Sequence, residues 1–275
     1  MNLSPQMHIA VRTARSVAKS LTDRFERRYE LSPRKKGAND LVSDADTQTE
    51  TEIIQQLKSA YPGYHILAEE SGGRLPPRGY CWIIDPIDGT TNFINGVPHF
   101  SFSIALAENG TVIGGLVMDP LRNEVFVGEK GRGAFLNDYR IRVGNKRLLS
   151  ESLLATGFPR KDKSKLEQYL ETFSQLFLNC RGIRRQGSAA LDLAYVAAGR
   201  YDGFWESGLS RWDIAAGQII LLEAGGFMTD FRGRNQALNT GEVVAANPDV
   251  HHQMMTIINP TEERQQKTTL KLNKK

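Results

Sequence analysis

Apolar positions recur along this chain with two different periods. Val11, Ala14, Ala18, Leu21 and Phe25 follow one another at three- and four-residue steps, with Arg12, Arg15 and Lys19 between them. That spacing predicts an amphipathic helix resting one face on a core. The basic run Arg34-Lys35-Lys36-Gly37 interrupts the pattern and is expected as a loop. Ile53, Ile54 and Leu57 predict a second helix from Asp46 to about Ala60, ended by Pro62-Gly63. His65 to Ala68 and Cys81 to Ile84 are short apolar runs of strand length, separated by a Gly- and Pro-rich stretch that should be a loop. Phe100 to Ala107 and Thr111 to Met118 predict two strands joined through Asn109-Gly110, a strong hairpin signal. Glu124 to Val127 and Ala134 to Leu136 read as further strands, with Asn137-Asp138 as a turn.

From about Leu148 strand and helix patterns alternate. Leu153 to Thr156, Tyr201 to Glu206 and Val243 to Ala246 predict strands. Leu166 to Phe177 predicts a helix, Gly187-Ser188 opens another that Gly199 closes, and Ile214 to Ala224 is a third, ended by Gly225-Gly226. The expected organisation is an α+β lobe over residues 1–147, an α/β lobe over 148–259 and a polar, aperiodic tail over 260–275. No Pro/Ser-rich linker and no internal repeat separates the lobes. They should pack closely, with a binding cleft between them.

Composition changes this picture little. The chain has 275 residues, 40% hydrophobic, with a net charge of +4 and a pI near 9.0. Mild basicity spread along the sequence does not by itself imply nucleic acid. Two distant cysteines, Cys81 and Cys180, are expected as buried reduced thiols. No signal-peptide core or membrane-length apolar run occurs, so the cytoplasm is the expected compartment and no membrane is expected as a partner.

Chemistry concentrates in Asp85-Pro86-Ile87-Asp88-Gly89-Thr90-Thr91-Asn92. A buried strand delivers Asp85, Pro86 turns the chain, and Asp88 returns three residues later with the Ile87 carbonyl between them. Such an all-oxygen group suits a hard cation such as Mg²⁺. The amides of Gly89, Thr90 and Thr91 could receive a phosphate. Alone, this is also an ordinary Asp-rich turn, and Asp213 alone is sufficiently explained as a helix cap. Asp44, Asp46, Glu69, Glu70 and Asp213 would make a different case by converging. Like charges ~4 Å apart repel by about 4 kcal/mol at an effective dielectric near 20, so such a cluster needs cations.

The set Asp46, Ala68-Glu69-Glu70-Ser71, Trp82 to Phe93 and Trp212-Asp213-Ile214-Ala215-Ala216-Gly217 resembles the signature set of the inositol monophosphatase family, in the family's order and over the chain to about Ile258. The resemblance implies a layered αβαβα sandwich of the inositol monophosphatase/fructose bisphosphatase type. It implies a Mg²⁺-dependent phosphatase that hydrolyses myo-inositol monophosphate with a metal-activated water and is inhibited by lithium. Glu69, Asp85 and the Ile87 carbonyl would hold one Mg²⁺, and Asp85, Asp88 and Asp213 a second; a third, weaker Mg²⁺ near Glu69 occurs in the family. Thr90, bonded to Asp46, would orient and help deprotonate the water, and the Gly89 and Thr90 amides would hold the phosphate. Asp88, Ser188, Ala189 and Glu206 match positions that contact the sugar hydroxyls. Glu206 also reads as a solvent-facing strand-edge carboxylate. His8, His65, His99, His251 and His252 have no ligand spacing and are expected on the surface or satisfied.

Keeping Thr90-Thr91-Asn92-Phe93 favours the inositol monophosphatase branch, with histidinol phosphate or adenosine bisphosphate as alternative substrates. Arg184 to Arg200, Asp119 to Glu124 and Ala155 to Pro159 resemble a bacterial branch. There the resemblance implies a homodimer and a second role in ribosomal-RNA transcription antitermination, through the elongation factor NusA and RNA polymerase. RNA contact is left open. A transcription-complex interaction protein is thus the second function class. Ser210-Arg211 stands where the family pattern leads one to expect Arg-Pro.

Overall fold

The computed structural model describes residues 1–30, 34–37, 40–42, 44–159 and 162–260, so the tail from 261 on lies outside the described residues. In chain order the elements are α1 (Pro5–Glu26), β1 (Arg34–Gly37), β2 (Asp40–Val42), α2 (Asp44–Ala60), β3 (His65–Ala68), β4 (Gly72–Gly73) and β5 (Tyr80–Asp88). There follow α3 (Thr90–Asn95), β6 (Ser101–Glu108), β7 (Thr111–Asp119), β8 (Glu124–Glu129), β9 (Gly133–Leu136), β10 (Tyr139–Ile141), β11 (Leu153–Thr156) and α4 (Leu166–Asn179). The remainder is β12 (Gly182–Arg184), α5 (Ala189–Ala197), β13 (Gly203–Ser207), α6 (Arg211–Glu223), β14 (Phe227–Thr229), α7 (Ala237–Thr240), β15 (Glu242–Ala246) and α8 (Pro248–Ile258).

Two sheets organise the chain. The first has the order β10-β9-β8-β7-β6-β5-β3-β4 and is antiparallel except where β3 runs parallel to β5. The second has the order β12-β11-β13-β15-β14, with β11 parallel to both β12 and β13. Strand periodicity assigns each face to a different core. Trp82, Ile84, Phe102, Ile104, Leu116 and Met118 pack with Met7, Ala14, Leu21, Ile53 and Leu57 of α1 and α2. Their alternates Cys81, Ile83, Ala105, Val117 and Phe126 face α5 and α6, which Phe204, Val243 and Ala245 of the second sheet cover from the other side. Leu154, Trp205, Val244 and Ala246 turn outward to Tyr169 and Leu176 of α4 and to Val250 and Met254 of α8. The layers are therefore α1/α2, first sheet, α5/α6, second sheet, α4/α8, the αβαβα sandwich expected from the resemblance.

Local signals explain several boundaries. Ser4 caps α1, its hydroxyl accepting from the Met7 amide, and Pro5 opens the helix. The Asn109-Gly110 hairpin has positive φ at both residues, 50° and 77°, and so does Asn137-Asp138, at 46° and 72°; both suit the right-handed twist of the strands they join. Two expectations need correction. Arg34–Gly37 is strand β1 of an antiparallel hairpin with β2, and not a loop, with a register shift between Lys35 and Gly37. A run without an apolar period can still form a two-stranded edge through main-chain pairing. The second helix starts at Asp44, one half-turn before Asp46. β12 and β14, three residues each, are too short to show a period, whereas α8 was missed although Val250, Met254, Ile257 and Ile258 recur at helical steps.

Candidate active site

Strand β5 builds the centre. Its partner β6 pairs Asp85 with Ser103 and Asp88 with Ser101, so three steps on β5 match two on β6. That bulge restores parity: without it Asp85 and Asp88 would point to opposite faces. Asp85 continues the Cys81–Ile83 side, toward α5 and α6, while Ile87 joins the α1/α2 core. Asp85 is buried, and its Oδ1 accepts from the Ile87 amide at 3.0 Å. Pro86 and Ile87 thus form a tight turn on the Asp85 carboxylate.

Asp88 sits at the N-terminus of α5. Its Oδ2 accepts from the Ser188 hydroxyl at 2.6 Å and the Ala190 amide at 2.7 Å, and the Ala189 amide adds to the same carboxylate. Asp213 lies in the first turn of α6, its Oδ2 accepting from the Ser210 amide at 2.7 Å. Ser210 caps α6 without the proline expected beside it. Glycines at 115 and 128 let α6 lie on the sheet: a Cβ would stand 2.7 Å from the Ala216 Cα at the first and 2.6 Å from the Ile220 Cα at the second.

Asp46 is buried on α2, and the Thr90 hydroxyl lies 3.0 Å from its Oδ1 and 2.9 Å from the Ile87 carbonyl. Gly89, with φ of 100°, caps α3 in the left-handed region. Asn92 donates to the carbonyls of His99 and Gln186, both at 2.7 Å, tying the motif to the segment that enters α5.

The electrostatics show which carboxylates converge. Burial first, then repulsion from Glu69, Asp88 and Asp213, holds the Asp85 carboxyl well above the usual carboxylate range. Burial and the Asp213 charge push Asp88 up to about 7, against the opposing pull of Ser188 and the α5 amides. Among the described residues no three His, Cys, Asp or Glu side chains converge into a finished metal cage. Glu69, Asp88 and Asp213 nevertheless each act as like charges on the buried Asp85. With the Ile87 carbonyl they form an oxygen-only donor set, which fits a hard divalent cation in chemistry and in charge.

Glu206 is the penultimate residue of β13. Its carboxylate lies against Gly157, where a Cβ would come within 1.9 Å of the carboxyl carbon. Between Glu206 and Asp88 lies Asp192 of α5, which the sequence did not single out. Burial and then these two charges raise its carboxyl well above the usual range, and its Oδ1 is buried without a hydrogen-bond partner. Asp192 is thus within electrostatic reach of both Glu206 and Asp88.

A model of the inositol monophosphatase family matches residues 2–266. The chain belongs to that family. It is a phosphatase. The Pseudomonas aeruginosa protein "Nus factor SuhB" is 45% identical over 263 residues, covering 94% of this chain and 97% of its own. Among solved structures, the extragenic suppressor protein SuhB from Bartonella henselae superposes with a TM-score of 0.90 at 39% identity, over 94% of this chain and 99% of that one. The Thermotoga maritima inositol monophosphatase gives 0.84 at 36%, over 93% and 97%.

Two further features of this phosphatase escaped the sequence reading. Glu50 is buried and accepts from the amides of Glu70 and Ser71; its place four residues after Asp46, on the same helix face, was the available signal. Of the histidines, His99 and His251 are buried. His251 Nε2 pairs with the Thr229 hydroxyl at 2.9 Å, whereas His99 Nε2 is buried without a partner. Both cysteines are free thiols, Cys81 buried and Cys180 only half-buried, so the expectation of two buried thiols holds for one of them.

Proposed function

We propose that this phosphatase hydrolyses a small sugar-alcohol phosphate, myo-inositol monophosphate by preference, with two Mg²⁺ ions held by its site carboxylates. The observation that carries the reading is the convergence of Glu69, Asp88 and Asp213 on the buried Asp85, at the turn whose Thr90 hydroxyl meets Asp46. Glu69, Asp85 and the Ile87 carbonyl would hold one ion; Asp85, Asp88 and Asp213 the second. Ions held there would supply a more acidic water and charge neutralisation for the leaving oxygen. Asp88 already accepts from Ser188, Ala189 and Ala190, so its carboxylate is oriented by the start of α5 before any ion is held.

The protein's own residues supply the rest. Thr90 stands between Asp46 and the Ile87 carbonyl, so its hydroxyl can hand a proton to Asp46 as it accepts one from the attacking water. The Gly89 and Thr90 amides open α3 and receive the phosphate oxygens. Water adds to phosphorus, the ester P–O bond breaks, and the leaving alkoxide takes a proton from solvent to depart as the alcohol. Ser188, Ala189 and Glu206 present oxygen and amide groups beside Asp88, suited to ring hydroxyls.

Three further parts of the reading rest on other observations. α4 exposes Leu166, Leu170 and Phe177, between 47% and 57% accessible, along one stripe, which supports a homodimer. No helix among the described residues is long and apolar enough to cross a membrane, and the free thiols accord with the cytoplasm. Relatives named Nus factor SuhB support a second role in the antitermination complex with NusA and RNA polymerase.

The test is phosphate release from inositol monophosphates, histidinol phosphate and adenosine bisphosphate, with Mg²⁺ titrated and lithium added. Mg²⁺-dependent, lithium-sensitive turnover highest on inositol phosphate is expected. Full activity in excess chelator overturns the metal reading, and preference for another monoester overturns the substrate.

A further inference from the structure

α2 carries two buried acidic side chains one helical turn apart, Asp46 and Glu50. Residues at i and i+4 share a helix face, and both point at the site's scaffold. Asp46 meets Thr90. Glu50 reaches the turn that follows β3: its Oε2 accepts from the Glu70 amide at 2.7 Å and its Oε1 from the Ser71 amide at 2.8 Å. Both oxygens of one carboxylate therefore hold two consecutive main-chain N–H groups, an arrangement of charge-assisted bonds shielded from water. Glu69, directly before them, is fixed from the opposite side, its own amide donating to the Ile84 carbonyl of β5 at 3.2 Å.

Pairing of β4 with β3, Gly72 with Ala68 and Gly73 with Leu67, closes the turn only at its two ends. Ser71 is followed by Gly72-Gly73 and then by Pro76-Pro77, residues with loose backbones or no main-chain donor. Nor does packing alone require a carboxylate at position 50. An apolar side chain would fill a buried position without the desolvation that a charge brings.

We propose that Glu50 is a positioning residue for Glu69. Its carboxylate locks the Glu69-Glu70-Ser71 turn in the register that presents Glu69 to Asp85. One turn of α2 thereby sets both the Thr90 hydroxyl and the Glu69 carboxylate. The inference rests on the reading of Glu69 as a Mg²⁺ ligand.

Glu50→Gln keeps the volume but turns an NH₂ group toward one of the two amides. Three variants, Glu50→Gln, Glu69→Gln and the double variant, are titrated metal-free with Mg²⁺ by calorimetry, and amide hydrogen exchange is read at Glu70 and Ser71. In folded Glu50→Gln the two amides exchange faster and Mg²⁺ binds about 10- to 100-fold more weakly, the range for groups that orient metal ligands. The double variant binds no more weakly than Glu69→Gln, because Glu50 acts through Glu69. Unchanged Mg²⁺ affinity in Glu50→Gln, or additive losses in the double variant, overturns the inference. Parent-like affinity in Glu69→Gln overturns the ligand reading itself. If Glu50→Gln does not fold, Glu50→Asp, which keeps the charge but reaches less far, replaces it. An intermediate loss of affinity is then expected, and none overturns the proposal.

Discussion

The Thr90 hydroxyl lies 3.0 Å from Asp46 Oδ1 although 44 residues separate them, one on the turn after β5 and the other on the first turn of α2. Neither element alone would place an acceptor behind that hydroxyl. The sheet's α1/α2 face, filled by Trp82, Ile84, Ile53 and Leu57, sets the distance between strand and helix. A proton path at the candidate site is thus a by-product of core packing.

If that path carries the water's proton, Thr90→Ala lowers turnover by about 10²–10⁴, the usual contribution of a positioned acid–base group. Mg²⁺ affinity should stay close to that of the parent, since Thr90 is no metal ligand and the Ile87 carbonyl to which it donates is held by the main chain of the turn. Phosphate release and calorimetry on the same sample check both halves. Near-normal turnover removes Thr90 from the mechanism.

Glu206→Gln should raise KM for inositol phosphate severalfold and leave kcat within about tenfold, as expected when binding shared by ground and transition states is lost. Gly157→Ala provides an independent route to the same result. Its new Cβ would occupy the place of the Glu206 carboxylate, so the carboxylate must swing away while the fold persists. Matching KM increases in the two variants assign Glu206 to the substrate. An unchanged KM in both returns it to an ordinary strand-edge charge.

Buried histidines predict a pH limit on stability. Burial first, then the Arg122 charge, lowers His99 to about 4; burial and then His252 lower His251 to about 4. Both bases are therefore neutral in the fold. Above the unfolded value of about 6.5 neither contributes a pH dependence. As pH falls from 6.5 toward 4 the unfolded chain takes up protons that the folded chain refuses, and stability drops. The limiting slope is about 1.4 kcal/mol per pH unit for each histidine, reduced by whatever solvent screening each ring has. Urea unfolding at a series of pH values reads the slope. His251→Gln should make it shallower, and a parent-like slope in that variant sinks the assignment.

How much of this was legible beforehand depended on whether a residue acts within a motif or across the fold. Asp85, Asp88 and Thr90 stand within six residues, and Trp212-Asp213 is similarly compact, so the sequence exposed them. The alternation along β5 to β8 exposed the first sheet, although not that both of its faces are covered. What remained hidden were relationships between distant backbones: Glu50 with the Glu70 amide, Gly157 with Glu206, and the bulge that puts Asp85 and Asp88 on one side. None has a local signature, because each exists only once the layers are stacked. Arg34–Gly37 failed differently, since main-chain pairing formed a strand where no apolar period announced one.

Asp88→Asn separates the two function classes. Its carboxylate accepts from Ser188 and Ala190 at Oδ2 and also from the Ala189 amide, and it is proposed to hold a cation as well. An asparagine can keep its carbonyl oxygen on the first pair and turn its NH₂ toward the cation side, so the fold and the α5 N-terminus are preserved. Repulsion at the site also falls, because Asp213 loses a like-charged neighbour. Metal-free Asp88→Asn should therefore unfold at a higher temperature than the metal-free parent at pH 8, where the parent's carboxyl is mostly ionised. Added Mg²⁺ should stabilise the variant far less than the parent. Phosphate release should fall at least as far as when one preorganised transition-state contact is removed, about 10²–10³. A transcription role needs a surface and not this turn, so capture of NusA and RNA polymerase should survive in Asp88→Asn if the parent shows it. Loss of capture in the folded variant would mean that the two activities are coupled through the metal site. Failure of the parent to capture either partner would leave the phosphatase as the chain's sole function of the two.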